Sequence, residues 1–284
     1  MRWWWLLMVA LPAAAQPRRP LDAAEPARRA AESKARLAAS PEGQVVLRAT
    51  EAHGGLTAWF EGRALAFDYA YRPVEAGKPG RVSWQTVDLL GSRAYHDMTE
   101  PVQGQLAWDG QQAWSTFDPK AGAPRFWALT PYYFTALPFV LGDPGVHLAR
   151  VEDTAEAAGL PPSDVIKVTF GAGTGDAPDD YYVCYFSKEN GMLIATRYVV
   201  SYKAFMKAQG LKHGPEKLLV YSDWQPVGPI KLAHTHTFYA FDEGKRGALG
   251  TVATLTRTQY GAPFDEARLV RPEGAIIDTS MDGL

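Results

Sequence analysis

The 284 residues carry 29 Lys and Arg against 31 Asp and Glu, a formal charge of -2, with no long run of one sign. So even a balance excludes a nucleic-acid partner, which needs a concentrated basic surface. A content of 46% hydrophobic and 12% aromatic residues excludes a disordered chain, and a lone cysteine, Cys184, excludes an intramolecular disulfide.

The chain begins "MRWWWLLMVALPAAA": one Arg, an apolar run from Trp3 to Leu11, then small residues, the pattern of a secretory signal peptide cut near Ala15. The apolar stretch is too short for a permanent span, no Cys follows it to accept a lipid, and no later segment is apolar enough to cross a bilayer. A soluble periplasmic or secreted protein is expected. Residues 16–40, rich in Ala, Arg, Glu and Pro, read as a flexible tether or a loosely docked helix. Residues 41–284 read as a single domain.

That domain opens with a helix. Ser40 is placed as N-cap, Pro41 at the first helical position, and Val45, Val46, Ala49 and Ala52 on one stripe. The helix is expected to end at His53, with Gly54 and Gly55 supplying a left-handed cap.

From Leu65 the pattern changes to short β-prone runs separated by Gly, Pro and Asp. Strands are predicted over 65–72, 81–89, 93–97, 105–109, 113–118, 146–152, 165–171, 181–187, 192–202, 217–224, 230–242 and 249–260. Turn pairs such as Asp109-Gly110 and Asn190-Gly191 join them into an antiparallel meander. Several strands are apolar on both sides: in "YYVCYF", Tyr181, Val183 and Tyr185 face one way and Tyr182, Cys184 and Phe186 the other. A strongly curved sheet wrapping an interior, with parts of its outside also covered, satisfies this. The fold class expected is mainly β, a half-closed antiparallel barrel with an N-terminal helix and one mid-chain helix.

The mid-chain helix is "TPYYFTALPFVLG", with Thr130 as N-cap, Pro131 first in the helix, and Pro138 as its stop. It serves equally as a fixed plug or as a lid. Around it gather Trp84, Trp108, Trp114, Phe126, Trp127, Tyr132, Tyr133, Leu137 and Phe139, either a solid core or the lining of an apolar ligand cavity.

His234 and His236 in "IKLAHTHTFYAF" share one side of a strand, a geometry that can offer two metal ligands. No HExxH helix or acidic cluster supplies a third, so no metal site and no cofactor are assigned. "HGG" at 53–55 lacks a G-x-S-x-G partner and is read as a helix cap. Cys184 has no basic neighbour to activate it. "GAGTGD" at 171–176 lacks the Lys of a phosphate loop and is read as a flexible hairpin loop. Asp179-Asp180 are read as solvated acids. No catalytic residue is assigned.

Taken together, "EAHGGLTAWFEGRALAFDY", "PYYFTALPFVLGDPGV", "DYYVCYFSKENGMLIATRYVV" and "VYSDWQPVGPIKLAHTHTFYAF" resemble the periplasmic lipoprotein-carrier superfamily typified by LolA, LolB and LppX, and in particular secreted relatives with a His-Gly-Gly-Leu start. The resemblance spans roughly Ser40 to Pro272. It implies a half-barrel, a helical lid and a cavity for acyl chains. The expected function is a monomeric, non-enzymatic carrier of a lipid, lipoprotein acyl chain or other hydrophobic ligand, with transient membrane or envelope-protein contact. His234 and His236 would be head-group or metal contacts if their face looks into the cavity. Two other readings stand beside it: a secreted, metal-assisted hydrolase using the histidine strand, and a structural envelope protein whose sheet edge recruits a partner.

Overall fold

The computed structural model describes residues 22–152, 155–156, 158–172, 174–177 and 179–282. The signal-peptide reading and the first part of the tether reading lie outside them. Among the described residues thirteen strands form one open antiparallel sheet: β1 (Ala64–Pro73), β2 (Arg81–Asp88), β3 (Arg93–Glu100), β4 (Gly104–Trp108), β5 (Ala113–Ser115), β6 (Val146–Arg150), β7 (Ser163–Phe170), β8 (Tyr182–Ser187), β9 (Leu193–Tyr198), β10 (Lys217–Val227), β11 (Ile230–Asp242), β12 (Lys245–Tyr260) and β13 (Ile276–Ile277). The spatial order is β13-β5-β4-β3-β2-β1-β12-β11-β10-β9-β8-β7-β6. Two meanders, β1 to β5 and β6 to β12, are thus zipped together by the β1–β12 pair, from Leu65↔Tyr260 to Pro73↔Thr251. Every strand expected from the sequence is present. Only β13, two residues long, was not foreseen.

Seven helices accompany the sheet among the described residues: α1 (Glu25–Ala38), α2 (Pro41–Ala52), α3 (Leu56–Glu61), α4 (Pro119–Gly122), α5 (Pro124–Trp127), α6 (Thr130–Ala136) and α7 (Lys203–Gln209). No helix among those residues is long and apolar enough to cross a membrane. Over the second half of the 16–40 segment the tether reading gives way to the docked helix. Residues 25–38 form α1, whose Ala30, Ser33 and Leu37 are buried, and whose Ser33 Oγ and Arg36 Nε donate to the carbonyl of Gly142. The buried stripe combines the small Ala30 and Ser33 with the larger Leu37.

The two-faced strands are covered on both sides. Tyr182, Cys184 and Phe186 belong to the main core on the concave side, with α2, α3 and α6. Val183 and Tyr185 belong to a second cluster with Ala155, Ala158, Leu218 and Phe241 on the convex side. At the other end, Trp114, Tyr95 and Ala107 are covered by Leu269 and Ala275. That carboxy-terminal cover is pinned by Arg93, which is buried and pairs with Asp88 and Glu266, both at 2.6 Å.

The "HGG" turn is a structural joint. Ser40 caps α2 by accepting from Gly43 N at 3.0 Å, and the helix ends where Gly54 and Gly55 take φ values of +115° and +92°. A Cβ on Gly54 would lie 2.5 Å from the Pro229 carbonyl oxygen and 2.8 Å from Ile230 Cα, so the β10–β11 hairpin rests on bare backbone here. The Gly54→Ala variant is expected to lose about 2 kcal/mol or more of stability through backbone strain and steric clash together. Urea unfolding followed by tryptophan fluorescence measures it.

Candidate ligand cavity

The inward face of the sheet is only partly filled. Beside α6 a cavity of about 580 Å³ remains, within the range of small-molecule sites. Its floor is strand residues: Tyr69 and Tyr71 on β1, Tyr182 on β8, Tyr198 on β9, Lys217 on β10 and Phe238 on β11. Its roof is the segment from Arg125 to Phe134, and its rim is formed by residues 175–177 and Asp180, and by Val200, Tyr202, Phe205 and Met206 around α7.

The rings interlock. Phe134 meets Tyr198 at 4.9 Å and Phe238 at 5.7 Å between centroids, Tyr182 stacks on Tyr198 at 5.9 Å, and Tyr71 packs edge-on to Trp127 at 5.3 Å. Phe126 on α5 contacts Tyr202, the cap of α7, at 5.1 Å and Phe205 on α7 at 4.9 Å between ring centroids. Arg125 lies 3.2 Å from the Trp108 ring centre and pairs with Asp176 of the rim loop. The Tyr133 hydroxyl is buried with no hydrogen-bond partner among the described residues.

Helix α6 is anchored. Tyr132 stacks on Trp59, which in turn stacks on Phe139 at 4.4 Å, and Tyr221 Oη donates to the Phe134 carbonyl at 3.1 Å. One face of the helix belongs to the core and the other, with Tyr133 and Phe134, is cavity wall. The helix is packed into the core, and the cavity wall continues through Phe126 of α5 and Phe205 and Met206 of α7. Helix α7 was not foreseen because its cover of Phe205 and Met206 sits in an otherwise polar stretch.

Of the residues singled out from sequence, Trp108, Phe126, Trp127 and Tyr133 line the cavity. Tyr132, Leu137 and Phe139 are in the core beneath it. Trp114 faces the convex side, its indole donating to the Leu269 carbonyl at 2.9 Å. Trp84 also points outward, beneath the Arg257 guanidinium at 4.6 Å, because its neighbours Ser83 and Gln85 take the inward positions. Sequence reasoning missed Tyr69, Tyr71, Tyr182, Tyr198 and Phe238. Their alternation along inward strand faces was the available signal. Asp180 is corrected too: it is a half-buried wall residue that accepts from Ser201 N at 2.5 Å, and burial raises its pKa.

His234 and His236 share their inward face with Ile230, Leu232 and Phe238. Of that face, Phe238 alone reaches the cavity wall. Neither histidine lines the cavity, and His236 is the more deeply buried of the two. The Nδ1 atom of His236 is 3.5 Å from Tyr69 Oη, and the Nε2 atoms of both are buried without partners among the described residues. No group of three potential ligands able to hold a metal occurs among those residues. Cys184 is inert, its thiol pushed up to about 12 by burial.

Three imidazoles are held neutral by burial: His53 and His96 are each lowered to about 4, and His236 to about 3. His53 Nδ1–H donates to the Lys231 carbonyl at 3.2 Å while its Nε2 accepts from Leu193 N at 3.1 Å. His96 Nε2 is 3.0 Å from the Ala128 carbonyl, tying the roof of the cavity to β3. Each has a folded pKa below its unfolded value near 6.5, so the unfolded state takes up protons first. Stability is therefore full above pH 6.5 and falls as the pH drops from there towards 4, by at most about 1.4 kcal/mol per pH unit for each histidine. The urea midpoint measured against pH should show this decline, and His236→Gln should make it shallower.

No family model matches the sequence, and no curated protein matches it. Solved structures do match by shape. A LolA superfamily protein from Nitrosomonas europaea aligns at a TM-score of 0.53 and 10% identity, over 82% of this chain and 99% of that one. A DUF1329 family protein from Desulfovibrio piger gives 0.52 and 11%, over 82% and 98%. An outer membrane lipoprotein-sorting protein domain from Vibrio parahaemolyticus gives 0.50 and 8%, over 84% and 97%. The fold is LolA-like, as the sequence resemblance implied.

Proposed function

We propose that the protein is a periplasmic carrier that holds a lipid, a lipoprotein acyl chain or a similar apolar molecule between the sheet and the α5–α6 roof. The observation that carries this reading is the aromatic cavity itself, left open in a sheet whose other apolar surfaces are covered. The LolA-like fold supports it, and so does its likeness in shape to the lipoprotein-sorting domain from Vibrio. Removing roughly 300 Å² of a ligand's apolar surface from water is worth on the order of 7 kcal/mol before the cost of ordering. The α5–α7 contact fits a mouth that opens, because it rests on ring packing with no hydrogen bond between the three rings.

Native mass spectrometry of protein purified without detergent should show a co-purifying lipid, and delipidated protein should bind a fluorescent fatty acid. Repeated failure of both rejects the carrier. The Val200→Trp variant, which fills the cavity from its wall, should lose most of the bound lipid while keeping its thermal midpoint. The Phe126→Ala variant should retain the lipid but release it several-fold faster in a stopped-flow dilution.

A further inference from the structure

We infer that the ligand carries an anionic head group, a carboxylate or phosphate, and that the ammonium of Lys217 receives it; this rests on the carrier reading above. Lys217 opens β10, paired with Tyr198 on one side and Ala240 on the other. Alternation along the strand sets its direction: Leu219 and Tyr221 pack in the concave core, Leu218 in the convex cluster. Lys217 therefore points inward, and it is part of the cavity wall.

No acid among the described residues compensates it. Its neighbour Glu216 is turned to the convex side, 3.5 Å from Arg197 and hydrogen-bonded by Tyr181. Asp176 is taken by Arg125. Asp180 is taken by Ser201, with Tyr182 as a further donor. The influences on the Lys217 ammonium are burial and the positive charge of Lys78, and both lower its pKa. Lys78 is itself exposed and paired with Glu75.

A cation at the wall of an apolar cavity with no counter-ion is costly unless a ligand supplies one. Around it, Tyr198 and Phe238 offer ring faces for a chain, so polar and apolar ends of an amphiphile find separate places. A charge-assisted hydrogen bond in this setting is about twice as strong as a neutral one. The wall thus selects an anionic amphiphile over a neutral one of the same chain length.

The test is displacement of a fluorescent fatty acid from the delipidated full chain by oleate, oleyl phosphate and oleyl alcohol. Both anions should bind the wild type about tenfold or more tightly than the alcohol. The larger of the two preferences names the head group. Lys217→Met should bind all three alike, with the alcohol at its wild-type affinity, and Lys217→Arg should restore the preference. Equal binding of the three by the wild type, or an anion preference that survives in Lys217→Met, overturns the role of Lys217 and leaves the carrier standing. Absence of binding by all three overturns the carrier and this inference with it.

Discussion

Much of this molecule follows from a sheet that is apolar on both faces along several of its strands. Strand β8 shows the constraint most plainly: all six of its residues are buried, three turned to each side. Such a strand cannot border water, so the chain must supply covers twice over. The concave side receives helices from the amino terminus and from the middle of the chain. The convex side receives Ala155, Ala158 and Leu160 at one end and the carboxy-terminal segment at the other.

The cavity is a by-product of that covering. The helices on the concave side are short, and α6 spans only Thr130–Ala136 before Pro138 ends it. The inward aromatic rings of β1, β9 and β11 extend beyond its reach. A longer helix would fill the space and leave a solid core. Neutral imidazoles then fix the frame around the gap. His53 ties α2 to β9 and β11, and His96 ties the roof to β3. Both do so with uncharged, directional hydrogen bonds, which suit an interior where an imidazolium would be heavily penalised.

Much of this architecture was readable from the residues. Period-two apolar runs marked the strands, and "YYVCYF" announced a sheet covered on both sides. The helix-capping role of Ser40 and of the glycines after His53 was also legible. What escaped depended on tertiary partners. Helix α1 buries Ala30 and Ser33, residues that no hydropathy pattern marks as core. Trp84 and Trp114 look like lining and face the other way: β2 gives its inward positions to Ser83 and Gln85, and on β5 the Trp114 indole reaches the Leu269 carbonyl. Lys217 and Asp180 look like ordinary surface charges, and only the fold carries them to a cavity wall. Alternation tells which residues share a face. It does not tell how far a short helix reaches across that face.

The seam between β1 and β12 sets the order in which these parts can come into being. It joins residues 65 and 260, near opposite ends of the chain, and it is the only bridge between the two meanders among the described strands. Contacts this distant in sequence form late and slowly. Tyr69 and Tyr71 come from one side of the seam, and Tyr198, Lys217 and Phe238 from the other. The amino-terminal meander must therefore wait with an unpaired edge until nearly the whole polypeptide has been made. A truncated chain would own half of the cavity wall and an adhesive strand, β1, which stays unpaired until the last long strand arrives.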